Sequence, residues 1–110
     1  MSYILFLDDI RNPSDFLLKE DAGERVVLCR SVNEALNCIY LGGYPFKMYL
    51  DHDLGLDVSN VATDVREFLK NLVLSDWPTC PEYIILSSNP VGRRWIENFM
   101  QDWYKQIKES

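Results

Sequence analysis

The chain predicts an α/β domain built on a parallel sheet of four strands, and three observations predict it. Short apolar runs alternate with amphipathic helical stretches from end to end. Turn and cap residues punctuate the boundaries between them. Two of the apolar runs end abruptly in acids. Alternation of strands and helices gives a parallel sheet with helices on both faces, a three-layer α/β/α arrangement. Its crossovers are right-handed. The strand order expected is 2-1-3-4, which puts the topological switch point between the first and third strands, where ligands bind in open sheets. The 110 residues make a single domain, residues 1–110, with no linker, repeat or low-complexity segment.

Each element has its own signal. Residues 3–7, Tyr-Ile-Leu-Phe-Leu, read as a strand buried on both faces. Asn12-Pro13 follows, with proline suited to the first position of a short helix. Residues 25–29 are a second run rich in β-branched side chains. Ser31 and Glu34 form a capping box. The helix they open carries Val32, Ala35, Leu36, Ile39 and Tyr40 as a stripe, and Gly42-Gly43 ends it. Residues 46–50 are the third strand. A loop over residues 55–59 leads to a helix with Val61, Val65, Phe68, Leu69, Leu72 and Val73 on one face. Pro78 and Pro81 bracket a connection, and residues 83–86 are the fourth strand. Asn89-Pro90 opens a last helix with Trp95, Ile96, Phe99, Met100, Trp103, Tyr104 and Ile107 on its face.

Composition excludes several classes of function. Hydrophobic residues make up 47% of the chain, enough for a core. A formal charge of −6 argues against bulk nucleic-acid binding through phosphates. The 3 cysteines, Cys29, Cys38 and Cys80, are odd in number and lack metal-ligand spacing, so they read as free thiols. The start of the chain lacks a secretory leader pattern, and no run reaches membrane-spanning length. A cytoplasmic protein without membrane contact is expected. The glycine-rich signatures of nucleotide motors and dinucleotide enzymes, and the nucleophile elbow, are missing.

The chemistry concentrates where the first and third strands end. Residues 3–7 run into Asp8 and Asp9, and Met48 to Leu50 run into Asp51, His52 and Asp53. Four acids converging on one edge repel one another, so some must take up protons or share a cation. Oxygen-only ligands suit Mg²⁺ or Mn²⁺. Asp8, Asp9 and Asp51 are the expected ligands, with Asp53 joining them or standing behind. Taken singly, such acids are ordinary solvated strand ends or helix caps; it is their pairing on neighbouring strands that points to a site. His52, the only histidine, lies between two acids that orient it, which suits it to proton transfer. It also fits a plain structural hydrogen bond.

The anion side is less specific. Asn12-Pro13 and Asn89-Pro90 place helix starts at the same edge, where N–H groups favour phosphate. Ser87, Ser88 and Asn89 follow the fourth strand with donors for a phosphoryl oxygen, though Asn and Ser are also ordinary caps. Arg11 lies in the acidic turn and is the preferred anion-binding arginine over Arg93 and Arg94. Trp77 and Trp103, if left uncovered, mark a protein-partner surface.

The acids after strands 1 and 3, with Ser87 after strand 4, resemble response-regulator receiver domains, a flavodoxin-type fold. In that comparison Asp8 and Asp9 are the metal-holding pair and Asp51 the phospho-acceptor. Receivers carry a fifth strand and an essential lysine after it, and none of the five lysines here stands in such a place. A closer resemblance is to the cyclic-phosphate processing receiver domain of bacteria and phages. Leu7-Asp8-Asp9-Ile10-Arg11-Asn12-Pro13 is similar to its opening signature, and Asp51-His52-Asp53-Leu54-Gly55 to its central one. Ser87-Ser88-Asn89-Pro90-Val91-Gly92 is similar to its third, with Leu86 where that family usually has histidine.

This resemblance implies metal-assisted hydrolysis or binding of a cyclic phosphate, such as an RNA 2′,3′-cyclic end or a cyclic nucleotide. Mg²⁺ or Mn²⁺ would sit on Asp8, Asp9 and Asp51. Asp51, His52 and Asp53 would be the reacting groups, while Arg11, Ser87, Ser88 and Asn89 would hold the anion. The alternative is a degenerate receiver that binds without catalysis, for example a phage-encoded inhibitor of a host or defence protein.

Overall fold

The structure, a computed structural model, describes residues 2–56, 62–73 and 81–109. In chain order its elements are β1 (Ile4–Leu7), α1 (Pro13–Phe16), a 3-10 turn (Lys19–Asp21), β2 (Val26–Cys29), α2 (Val32–Gly42), β3 (Lys47–Leu50), β4 (Asp53–Leu56), β5 (Ala62–Asp64), α3 (Val65–Val73), β6 (Glu82–Ile85) and α4 (Pro90–Glu109). Four strands form a parallel sheet in the order β2-β1-β3-β6, the topology expected from the alternation. The pairing is in register, so Leu7, Cys29, Leu50 and Ile85 are neighbours in one row. The acids that follow β1 and β3 therefore emerge side by side.

Register also sorts the sheet's two faces. Tyr3, Leu5, Leu7, Cys29, Met48 and Leu50 pack in one cluster with buried residues of α2, α3 and α4. Ile4, Phe6 and Tyr49 point the other way and meet Leu17, Val26, Ile84 and Leu86. All three long helices thus coat one face. Among the described residues the second face is covered by α1, the 3-10 turn and the chain between them, a thin layer.

What holds that thin layer is polar. Lys47, in the middle of the sheet and 3% exposed, reaches Asp21 Oδ2 at 2.9 Å and Glu20 Oε1 at 3.0 Å. The Tyr49 hydroxyl donates to Asp21 and accepts from the Leu18 N–H. Burial alone would push the Asp21 carboxyl up, but Tyr49 and Lys47 override it and hold it below the usual carboxylate range. Burial likewise opposes the charge on Lys47, and its bonds to Asp21 and Glu20 more than restore it, raising its pKa. A buried ammonium without such partners would be costly.

Local signals explain the helix ends. The Ser31 hydroxyl accepts from the Glu34 N–H at 3.2 Å, as a capping residue should. Glu34 answers the Arg30 N–H at 2.7 Å rather than that of Ser31, so the box is shifted by one residue. Gly43 ends α2 with φ +83°, a conformation that L side chains rarely adopt.

Several expectations need correction. Gly55 lies in β4, which pairs antiparallel with β5, so strands stand where a loop was expected to run into a helix. Leu54, buried at 3% exposure, anchors that hairpin. Helix α3 starts at Val65, after β5. Tyr40 is 87% exposed, because α2 turns that side of its last turns to solvent. Trp103 is buried in the α4 seam and offers no partner surface. Phe46 precedes β3 and is half-exposed. Val61, Trp77 and Cys80 lie outside the described residues, as do the Val73 and Ile107 side chains. Cys29 and Cys38 are free thiols; burial, with the neighbouring Cys38 next in importance, pushes Cys29 up to about 12. No helix among the described residues is long and apolar enough to cross a membrane.

Removing one partner of a buried ion pair strands the other. Lys47→Ala is therefore expected to lower unfolding free energy by about 3–5 kcal/mol in urea titrations. A loss below about 1 kcal/mol would mean that the pair does not fasten the thin layer.

Candidate active site at the carboxyl edge

Asp8 follows β1 directly, and its N–H donates to Cys29 O at 3.1 Å, keeping it in the sheet's ladder. Its side chain folds the next turn. Asp8 Oδ1 accepts from the Ile10 and Arg11 N–H groups at 2.9 and 2.8 Å. This is how adjacent strand-end acids come to serve one site: the chain leaves the strand at Asp9 and curls round the Asp8 carboxylate. Asp51 follows β3, with its N–H on Leu7 O at 2.9 Å. Asp8, Asp9 and Asp51 each bring a carboxylate oxygen within 4.8 Å of the others. Asp8 is fully buried, Asp51 nearly so, and Asp9 half-buried.

Arg11 answers this charge. Its Nη1 lies 2.9 Å from Asp8 Oδ2 and 3.4 Å from Asp51 Oδ1. The hydrogen bond to Asp8, the largest influence, raises the Arg11 pKa further. One guanidinium does not settle three carboxylates. Burial first, and the Asp8 charge second, push Asp51 up to about 6, against the opposing pull of Arg11 and the His52 N–H.

Arg30 is a residue that sequence reasoning missed. Its Nη1 donates to Arg11 O at 2.7 Å and Asp8 O at 3.4 Å, and its Nη2 donates to Asn12 Oδ1 at 2.7 Å. It thereby clamps the acidic turn from the end of β2. Nothing in the local sequence marks it, since the groups it holds are 18 to 22 residues away.

His52 donates its N–H to Asp51 Oδ1 at 2.9 Å, and its ring Nδ1 stands 3.1 Å from Asp53 Oδ1. The ring lies against the first turn of α4. A Cβ added at Gly92 would sit 2.6 Å from His52 Cγ, so only glycine lets the ring lie there. The Pro-Val-Gly run noted in the sequence thus has a steric role. Asp53 is exposed, whereas the His52 ring it meets is largely covered.

The fourth strand's end is arranged to start α4. Ser87 is buried and its hydroxyl accepts from the Asn89 N–H at 3.2 Å; Asn89 Oδ1 accepts from the Val91 N–H at 3.0 Å. The Ser87 hydroxyl proton and the Asn89 carboxamide NH₂ are donors that these two bonds do not use. Ser88 is exposed. Arg93 donates to Ile85 O and Ser87 O at 3.1 and 3.0 Å, covering carbonyls on the outer edge of β6. The geometry therefore gathers Asp8, Asp9, Asp51 and Arg11 into one cluster, with His52 and Asp53 beside it and Ser87, Ser88 and Asn89 after the adjoining strand. The helix start at Pro13 is only four residues long, too short to act as a dipole site of its own.

The family model for the cyclic-phosphate processing receiver domain matches residues 3–102. No curated protein matches the chain. A solved structure, a segment of the yeast Spc42 trimeric coiled coil fused to another structure, is similar with a TM-score of 0.63 at 17% identity. The likeness covers 89% of this chain and 63% of that one, and at this identity it concerns the fold alone.

Two outcomes follow from the geometry. The Asp51 carboxyl holds its proton to about 6 when folded, against about 3.9 in an unfolded chain. Its cost is absent below the unfolded value, grows as pH rises between the two, and is complete above the folded one. In metal-free buffer the melting temperature should rise from pH 7.5 to 5, and Asp51→Asn should flatten that rise and gain about 2–3 kcal/mol at pH 7.5. A flat wild-type profile over that range would refute the assignment. Gly92→Ala should displace the His52 ring, cost about 1–3 kcal/mol as overpacking does, and shift the His52 ring signals in NMR spectra. Unmoved ring signals would show that the helix gives way instead.

Proposed function

The chain belongs to the cyclic-phosphate processing receiver domain family, and on that premise we propose that its carboxyl edge binds and hydrolyses a cyclic phosphodiester with a divalent cation. An RNA 2′,3′-cyclic end or a cyclic nucleotide fits the proposal. The observation that carries it is the approach of Asp8, Asp9 and Asp51 oxygens to within 4.8 Å of one another at the ends of adjacent strands. The donor set is hard and all-oxygen, which suits Mg²⁺ or Mn²⁺. Three carboxylates carry more negative charge than the one Arg11 guanidinium offsets, which favours a dication. Asp8, Asp9 and Asp51 would hold the metal, which when bound supplies Lewis acidity toward a phosphoryl oxygen.

The rest of the chemistry belongs to the chain. Opening a cyclic phosphate adds water to phosphorus, breaks one P–O ester bond and delivers a proton to the departing oxygen. A carboxylate can only accept, so the proton shared by His52 and Asp53 sits on Nδ1. That leaves Nε2 as the nitrogen that takes or gives a proton. Asp53 fixes the tautomer and Gly92 seats the ring. The Ser87 hydroxyl, Ser88 and the Asn89 carboxamide are donors for the phosphoryl oxygens, and Arg11 adds positive charge beside them.

A second reading is a binding module without catalysis. Leu86 in the place of the family histidine favours it, as does the pairing of Arg11 with the acids it would otherwise leave open.

Screening cyclic mono- and oligonucleotides with Mg²⁺ or Mn²⁺ decides between them. Turnover is expected, lost with a chelator, and reduced about 10²–10⁴-fold in His52→Ala with the fold intact. Turnover unchanged in His52→Ala moves proton transfer elsewhere. No turnover of any substrate, with binding retained, supports the second reading.

A further inference from the structure

We propose that Arg11 is a resident counter-ion that a divalent cation displaces, so that metal loading turns a guanidinium locked among acids into one presented to phosphate. This rests on the divalent-metal reading above and adds an order of events to it. Arg11 Nη1 bonds Asp8 Oδ2 at 2.9 Å and faces Asp51 Oδ1 at 3.4 Å. Those two residues, with Asp9, are the ones whose oxygens converge within 4.8 Å. A guanidinium and a dication cannot share that space without strong like-charge repulsion. Exchanging one positive charge for two also cancels more of the acids' charge.

The turn is built so that only the side chain has to move. The Arg11 N–H stays on Asp8 Oδ1 at 2.8 Å, and its carbonyl stays under Arg30 Nη1 at 2.7 Å. The side chain itself is 23% exposed, so it already reaches solvent. Its Cζ lies 5.7 Å from the centre of the half-exposed Phe16 ring. That aromatic face keeps a cation attractive when the carboxylates release it. Arg11 thus remains at the edge, with its N–H donors turned from carboxylates to an incoming anion. By linkage, a cation that frees Arg11 must tighten phosphate binding, and phosphate must tighten cation binding.

The test uses the 110-residue chain, freed of metal, with Mn²⁺ alone followed by electron paramagnetic resonance. Arg11→Ala and Arg11→Gln should bind Mn²⁺ at least about tenfold tighter than wild type. Arg11→Gln preserves most of the side chain's length without its charge and stands in if Arg11→Ala fails to fold. Inorganic phosphate should bind wild type at least about fivefold tighter with saturating Mg²⁺ than without, and this gain should shrink in Arg11→Gln. Equal Mn²⁺ affinity in wild type and variants overturns the displacement while leaving the metal site standing. No Mn²⁺ binding by any of the proteins overturns both. Tighter Mn²⁺ binding in the variants, with phosphate indifferent to Mg²⁺ in wild type, overturns the presentation of Arg11 to the anion.

Discussion

Like charges crowded at the end of a sheet are the constraint around which this molecule is arranged. A parallel sheet in register delivers Asp8 and Asp51 to the same row whether or not they repel. Both are buried, where charge is screened far less than in water. The fold answers in three ways. Backbone N–H groups of the following turn bind Asp8, Arg11 lies across Asp8 and Asp51, and Asp51 holds its proton longer than a free acid would. Each answer is partial, and together they leave a cluster that still attracts positive charge.

The neighbouring elements make this arrangement specific. Arg30 fixes the turn from β2, Gly92 admits the His52 ring from α4, and Arg93 closes carbonyls at the outer edge of β6. Unpaired strand edges invite association with other chains, and charged side chains at the edge are one way of blunting it. Arg30 thus serves carbonyls of the turn after β1 and Arg93 carbonyls at the β6 end of the sheet, while Arg11 serves side chains between them. Arg30 directly follows β2, Arg11 lies in the turn after β1 and Arg93 in the first turn of α4, and their partners separate their roles.

Much of this was legible in the sequence where the signal is local. The four parallel strands, the Ser31 cap, the Gly43 stop and the acids on adjacent strands each follow from patterns a few residues long. What escaped was set by distant residues. The β4–β5 hairpin is two very short strands, and among its described side chains Leu54 is the apolar anchor. Lys47 is a charge in an interior strand, and its partner Asp21 lies 26 positions earlier, beyond the reach of a local pattern. The Arg11 guanidinium looked like an anion hook because sequence cannot show that Asp8 and Asp51 already occupy it. Tyr40 fits the helical stripe by spacing, yet it is exposed near the end of α2.

The thin layer on the second face belongs to the same connection that carries the acids. Residues 8–24 run from the acidic turn, through α1 and the 3-10 turn, to the start of β2. One covalent segment therefore bears both the charged turn and the cover of Ile4, Phe6 and Tyr49. It is pinned by two polar knots, Arg30 at one end and Lys47 with Asp21 at the other, instead of by a long helix. Segments held by few apolar contacts open locally at lower free energy than a core. Amide exchange along this strap should accordingly proceed as one cooperative unit, faster than in β1 and β3. In such a unit the sheet's cover and its charged edge loosen together, so that a group binding at the edge would slow exchange as far away as Asp21.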